Sequence, residues 1–263
     1  MIESLAVVRS GLEGQQTQMD LISNNLANIN TPGFKGSRAV FQDLLYQDAS
    51  QVGGFSSQTT NYPSGLQKGT GSNVVATEPI ITQGSLQQTG NALDLAINGS
   101  GYFQVLMPSG QIAYTRDGSF QLNAQGQVVN ANGYLVQPPI TLPHNALSIT
   151  VGTDGTMSVQ LANQSTAQTV GALQLVNFVN PAGLQNMGEN LATQTQASGN
   201  PIPGQPTFNG LGSISQGYLE SSNVQVVDEM IDMIATQRAY ELETQAAKSI
   251  DGMLSSLNAA AAS

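Results

Sequence analysis

LAVVRSGLEGQQTQMDLISNNLANINTPGFK, residues 5 to 35, is the stretch on which the architecture of this 263-residue chain turns. Apolar side chains recur at Leu5, Val8, Leu12, Met19, Ile22, Leu26 and Ile29, and Gln15 fills the one skipped position of a three-four spacing. The mean step is close to the period of roughly 3.5 residues that defines a left-handed coiled-coil seam. The pattern therefore predicts an amphipathic helix about 38 Å long at ~1.5 Å per residue. Its end is legible too, because Pro32 biases Thr31 away from helical geometry and Gly33 follows.

The other end of the chain carries a second stripe. Ser222 and Gln225 have capping-box spacing, and Asp228 and Glu229 place negative charge near the positive end of a helix dipole. From there Val224, Val227, Ile231, Ala235, Ala239, Leu242, Ala246, Ile250, Met253 and Leu257 fall on one face. Their mean step is nearer 3.67, which suits a straight or slightly right-handed pack, and the alanines permit close helix approach. Neither stripe has a sequence-adjacent partner, and an isolated amphipathic helix is marginal in water. Each must be covered by the opposite terminus, by another copy, or by both. The plainer alternative is an intramolecular two-helix coil packed on the middle of the chain.

Between the stripes the period falls to two. Runs such as Tyr102-Phe103-Gln104-Val105-Leu106, Leu147-Ser148-Ile149-Thr150-Val151 and Leu173-Gln174-Leu175-Val176 read as strands, punctuated by Ser109-Gly110, Asn132-Gly133 and Asp154-Gly155. The expected fold class is α+β: long N- and C-terminal helices packed as a coiled-coil-like pair, extended connectors, and a central all-β domain. The expected segments are a polymerisation helix at 1–33, a connector at 34–74, the β domain at 75–190, a return connector at 191–221 and a second polymerisation helix at 222–263.

Composition excludes several functions. Only 9% of residues are charged, well under the roughly 25% of ordinary soluble domains. Net charge is −10, and Arg116 is the only basic residue between Lys68 and Arg238. A nucleic-acid binder needs clustered cations to displace counterions from phosphates, so no nucleic-acid partner is expected. With no cysteine, thiolate chemistry and cysteine-zinc sites are ruled out. The first residues lack the apolar core and cleavage pattern of a secretory signal, and no apolar run reaches the roughly 18 residues needed for a membrane span. Neither a cleaved signal nor membrane insertion is expected.

Candidate catalytic groups are sparse. His144 is the only histidine and follows Pro143 in a turn-like segment, where a solvent-facing loop residue is expected. Asp94, Asp117 and Asp154 are the only acids between Glu78 and Glu189, and two of them precede glycine, where a carboxylate commonly supports the turn. A glycosidase dyad built from two of these acids is conceivable on sequence alone. Gly69-Thr70-Gly71 and Asn98-Gly99-Ser100-Gly101 lack the lysine and following helix of a phosphate loop. No metal, cofactor or catalytic residue is expected, and the chain reads as a non-enzyme. The competing reading from another class is a secreted β-domain hydrolase or carbohydrate-binding protein with helical arms.

Asn24-Asn25-Leu26-Ala27-Asn28 with Thr31-Pro32-Gly33-Phe34-Lys35, and Ser221-Ser222-Asn223-Val224 with Gln237-Arg238-Ala239-Tyr240-Glu241, closely resemble the two terminal signatures of bacterial flagellar rod and hook proteins. Internal runs extend the resemblance over nearly the whole chain, among them Pro63-Ser64-Gly65-Leu66-Gln67 and Ala113-Tyr114-Thr115-Arg116-Asp117-Gly118-Ser119-Phe120. The connector that follows Leu45-Tyr46-Gln47 through Pro63 resembles a rod-specific insertion. The resemblance implies a distal-rod subunit of the basal body, with a proximal rod protein or a short hook protein as the nearest alternatives. It also implies a homopolymeric helical tube that encloses the export channel and transmits torque. Proximal rod proteins, the hook protein, the ring bushing around the rod and the flagellar type III export apparatus would be its partners. The tube would span the periplasm, its subunits exported without a cleaved signal. Its assembly interface would be carried by Leu5, Val8, Leu12, Met19, Ile22, Leu26, Asn24, Asn25 and Asn28, together with Val227, Ile231, Ala235, Ala239, Leu242, Ala246, Ile250 and Met253. For the asparagines, protomer contacts and purely local capping are both open.

Overall fold

A computed structural model describes residues 2–50, 64–162 and 166–261. Most of the segment compared above with a rod-specific insertion, residues 51–63, lies outside the described residues. The chain forms two compact units, one of residues 1–26, 37–78 and 225–263, the other of residues 27–36 and 79–224.

The first unit contains both long helices, α1 (Ile2–Ala27) and α2 (Val226–Ala261). The carbonyl of Gln225 accepts from the Glu229 N–H at the start of α2, while the Ser222 hydroxyl accepts from Val224 N–H and shapes the turn before it. The helix thus begins a few residues after the expected serine cap. Four short strands complete the unit: β1 (Ser37–Asp43) pairs with β4 (Ser72–Pro79), and β2 (Gln47–Ser50) pairs with β3 (Leu66–Lys68). Phe41 of β1 lies against α1 at Gly14, where a Cβ would come within 3.0 Å of its ring. No helix among the described residues is long and apolar enough to cross a membrane.

The second unit is mostly β. Its largest sheet has seven strands, in the order Gln185–Gly188, Leu191–Thr193, Ile112–Thr115, Phe103–Leu106, Leu135–Gln137, Val128–Val129 and Gln121–Leu122, all antiparallel. The expected turn at Ser109-Gly110 joins two of these strands in a register that sets Phe103 opposite Thr115. Gly110 has φ +82, a conformation that glycine adopts at little cost. A three-stranded sheet, Ala146–Val151, Thr156–Leu161 and Gln168–Ala172, turns at Asp154-Gly155. The run 173–176 is interrupted: Leu173 is buried between the strands Gln168–Ala172 and Leu175–Asn177.

Alternating inward residues build one core from Leu95, Ile97, Phe103, Val105, Phe120, Met157, Leu175 and Ile214, each at most 1% exposed. Phe103 and Phe120 meet edge to face at 5.1 Å. A smaller cluster joins Tyr102, Tyr114, Val176 and Phe178.

Candidate assembly interface

The loop after α1 is fixed by its own sequence. Thr31 and Phe34 N–H groups bond back to the carbonyls of Asn28 and Thr31, closing the turn around Pro32. Gly33 has φ +70 and sits so close to the Arg116–Asp117 backbone that a Cβ would fall 2.8 Å from it. Its N–H donates to the carbonyl of Glu220 at 2.8 Å. These contacts bring Lys35 to the buried carboxylate of Glu220, Nζ to Oε1 at 2.5 Å, while Arg116 reaches Oε2 at 3.3 Å. Glu220 also accepts the Gly84 N–H, and Lys35 donates to the Thr82 carbonyl.

Charge explains why the cluster closes this way. Two cations share one fully buried carboxylate, and the Arg116 guanidinium lies over the Tyr102 ring at 5.3 Å. Burial lowers the Lys35 pKa; the Glu220 bond and charge pull the other way, and the like charge of Arg116 adds to the lowering. Burial raises that of Tyr102, an effect that Arg116 offsets. Beside the cluster, Asn223 accepts the Gly36 N–H at 2.8 Å and donates to the Ile80 carbonyl at 2.7 Å. The two terminal signatures of the chain therefore meet at 31–36 and 218–224, joined by the one arginine of the β region.

In the first unit the helices are stitched at two points. Asn25, 3% exposed, accepts the Ser37 N–H at 2.9 Å and donates both to the Ser37 carbonyl and to Glu229 of α2. Further along, the Glu243 carboxylate occupies the space that a Cβ at Gly11 would need. The pairs Asn25 with Glu229 and Gly11 with Glu243 run in opposite directions along the two helices, which makes them antiparallel between these points. Burial is the first cause of a raised pKa at both Glu229 and Glu243; at Glu229 the Asn25 bond opposes it and Asp232 and Asp228 reinforce it. Glu243 Oε2 is buried with no hydrogen-bond partner among the described residues.

The expected interface residues divide sharply. On α1, Ile22 is buried and Leu5, Val8, Leu12, Met19 and Leu26 are half-buried. Asn24 is exposed, Asn28 half-buried and bonded to the Thr31 hydroxyl, and Asn25 fully engaged within its own unit. On α2, Val227, Ile231, Ala235, Leu242, Ala246 and Met253 are exposed, and Ala239 and Ile250 are half-buried. The covered face is instead Glu229, Met233, Thr236, Ala239, Glu243, Ala247, Ile250 and Leu254, recurring at four- and three-residue steps.

At about 100° per residue, Val227, Ile231, Ile234 and Leu242 lie on the side opposite that covered face. They are 68%, 58%, 57% and 66% exposed. Sequence reasoning missed Ile234 and the Lys35, Glu220 and Arg116 cluster. The signal for the cluster was present: Arg116 is the only lysine or arginine between Lys68 and Arg238, and Glu220 is the only charged residue between Glu189 and Asp228.

Three family models match the chain: the flagella basal body rod protein model at residues 5–35, the flagellar hook protein FlgE/F/G D1 domain model at 96–159, and the flagellar basal body rod FlgEFG protein C-terminal model at 215–260. The chain is 52% identical over 258 residues to the flagellar basal-body rod protein FlgG of Buchnera aphidicola, covering 98% of this chain and 99% of the relative. It is 46% identical to the FlgG protein of Caulobacter vibrioides over 96% of this chain and 97% of that one, and 37% identical to the FlgG protein of Bacillus subtilis over 98% of each.

Proposed function

We propose, from the premise that this chain belongs to the FlgG family of flagellar basal-body rod proteins, that it polymerises into the distal rod through the exposed face of α2. It is a structural component of the flagellar rod and belongs to the basal body. The rod is a rigid helical tube that encloses the export channel and carries torque from motor to hook. In it, α1 and α2 form a coiled-coil-like pair in the inner wall, and the β unit faces the ring bushing. Proximal rod proteins and the hook protein bound the tube at its two ends. Subunits leave through the flagellar type III export apparatus without a cleaved signal, and the tube spans the periplasm.

The observation that carries this reading is the second apolar side of α2. One helical face is turned inward in its own unit, and Val227, Ile231, Ile234 and Leu242 remain in water on the other. Burying such a side chain stabilises by about 1.5–3 kcal/mol, so a row of four rewards contact with a further protein surface. Growth requires that contact to be open and heterologous, since a closed dimer would stop it.

Electron microscopy of the purified full chain tests the proposal. Wild-type protein is expected to form straight tubes of fixed diameter, and Ile231→Asp to stay monomeric with unchanged helical content. Normal tubes from Ile231→Asp would overturn it. Deleting residues 48–62 tests the assignment to rod instead of hook, the expected product being a bent polymer.

A further inference from the structure

Within the first unit a groove of about 460 Å³ runs between α1 and β4, lined by Glu13, Gly14 and Thr17 of α1 with Leu44 and Val74. Ser10, Ser72 and Asn73 complete the lining, so polar and apolar groups are mixed along the groove. The hydroxyls of Ser10 and Thr17 donate to the α1 carbonyls of Val7 and Glu13, and the Ser10 oxygen also accepts the Ser72 N–H of β4 at 3.4 Å, so both hydroxyls are already engaged within the unit. Gly14 is buried, with Phe41 of β1 filling the space beside it.

The outer face of α2 has a matching charge. Arg238 lies in the middle of the exposed apolar row, one turn from Ile234 and one from Leu242. Among the described residues its side chain pairs with Glu241, three residues on, the two side chains being 74% and 59% exposed. Among the described residues the Glu13 carboxylate, at the groove, likewise pairs with the exposed neighbour Arg9 at 2.8 Å. Exposed ion pairs of this kind contribute little, so giving up both costs little, and a pair formed across the contact fixes register more than it adds affinity, since its own dehydration offsets the attraction.

We propose that the α2 outer face of one copy seats in the α1–β4 groove of the next, with Arg238 pairing to Glu13 and Ile234 entering beside Thr17. This rests on the polymer reading above and names the surface that receives the exposed helix. Seat and face are different surfaces. Each docked copy therefore presents a fresh groove and a fresh helix, as open growth requires.

Charge reversal in the full chain is the test, read as the critical concentration for tube formation. Glu13→Arg and Arg238→Glu are each expected to raise it by about tenfold or more, and the double variant to recover most of the loss. Helical content stays unchanged in all three, since both positions are exposed. Because the chain has no cysteine, Thr17→Cys in one tagged copy and Ile234→Cys in another give a second readout, an intermolecular disulfide in assembled tubes. Wild-type tubes with neither rescue nor cross-link overturn the seat and leave the rod reading standing. Failure of the wild type to form tubes at all overturns the reading beneath it. A Thr17→Cys thiol that is shielded in the free monomer means that the chain fills its own groove, and also overturns the seat.

Discussion

Glu220 Oε1 lies 2.5 Å from Lys35 Nζ, and neither side chain is more than 11% exposed. Among the described residues, Lys35 and Arg116 both take this carboxylate as their ion-pair partner. Removing one member of a buried cluster leaves the others uncompensated, which costs about 3–5 kcal/mol. Glu220→Ala is expected to lose that much in a urea titration followed by tyrosine fluorescence, there being no tryptophan. Glu220→Gln keeps an acceptor for the Gly84 N–H and should lose less. A loss below about 1 kcal/mol in Glu220→Ala would show that water or a relaxed loop compensates the two cations.

Asn25 supplies a second buried contact, with a different chemistry. Its amide donates to Ser37 and Glu229 while its oxygen accepts from Ser37. Asn25→Ala leaves those groups short of partners at about 1–3 kcal/mol. Asn25→Asp is worse at neutral pH, because it swaps the donor for a carboxylate that faces Glu229 and the Ser37 carbonyl. Thermal unfolding by far-UV circular dichroism should rank wild type above Asn25→Ala and Asn25→Asp last. Equal melting of the two variants would argue against the carboxylate clash.

How much of this could be read from residues alone differs by element. The two helices and most turns were legible, because apolar period and glycine-bearing dipeptides are local signals. The stripe on α2 was legible as apolar but not as facing outward. Its true inner face includes Glu229, Thr236 and Glu243, polar residues that a hydrophobicity count passes over. Asn25 was singled out but left between a local cap and a protomer contact, and the structure uses it on β1 and α2 of its own unit. The pairing of Lys35 with Glu220 spans 185 positions, and no periodicity carries information over that distance.

The Glu243 carboxylate packed against Gly11 makes α1 and α2 sensitive to pH. Burial raises its pKa above the ordinary glutamate value of 4.5, and that of Glu229 likewise. The folded state therefore holds more protons than the unfolded one just above pH 4.5, and stability contributed there falls as pH rises through the folded pKa values. Glu243→Gln removes one titrating group, so the melting temperature at about pH 7 should rise and the gap between about pH 5 and pH 7 should narrow. Gly11→Ala tests the same contact from the other side. Its Cβ displaces only the end of a flexible side chain, and alanine is the better helix former by about 1 kcal/mol. A variant that is neutral or stabilised, with a smaller pH gap, is expected. Marked destabilisation by Gly11→Ala would mean that the carboxylate cannot swing out to water.

The two apolar stripes assign both Leu12 and Leu242 to assembly, yet these residues stand differently in the structure. Leu242 is 66% exposed on the outer side of α2, and Leu12 is half-buried on α1. Leu242→Asp changes a side chain already in water, and surface changes of this kind stay within about 0.5 kcal/mol of wild type. Leu12→Asp removes buried apolar surface and sets a charge there, a loss of about 2 kcal/mol or more. Sedimentation should find neither variant in tubes, while thermal unfolding of the monomers should separate them, with only Leu12→Asp melting early. If Leu242→Asp melts early as well, the outer face of α2 is packed within the chain and is not the surface that another copy covers.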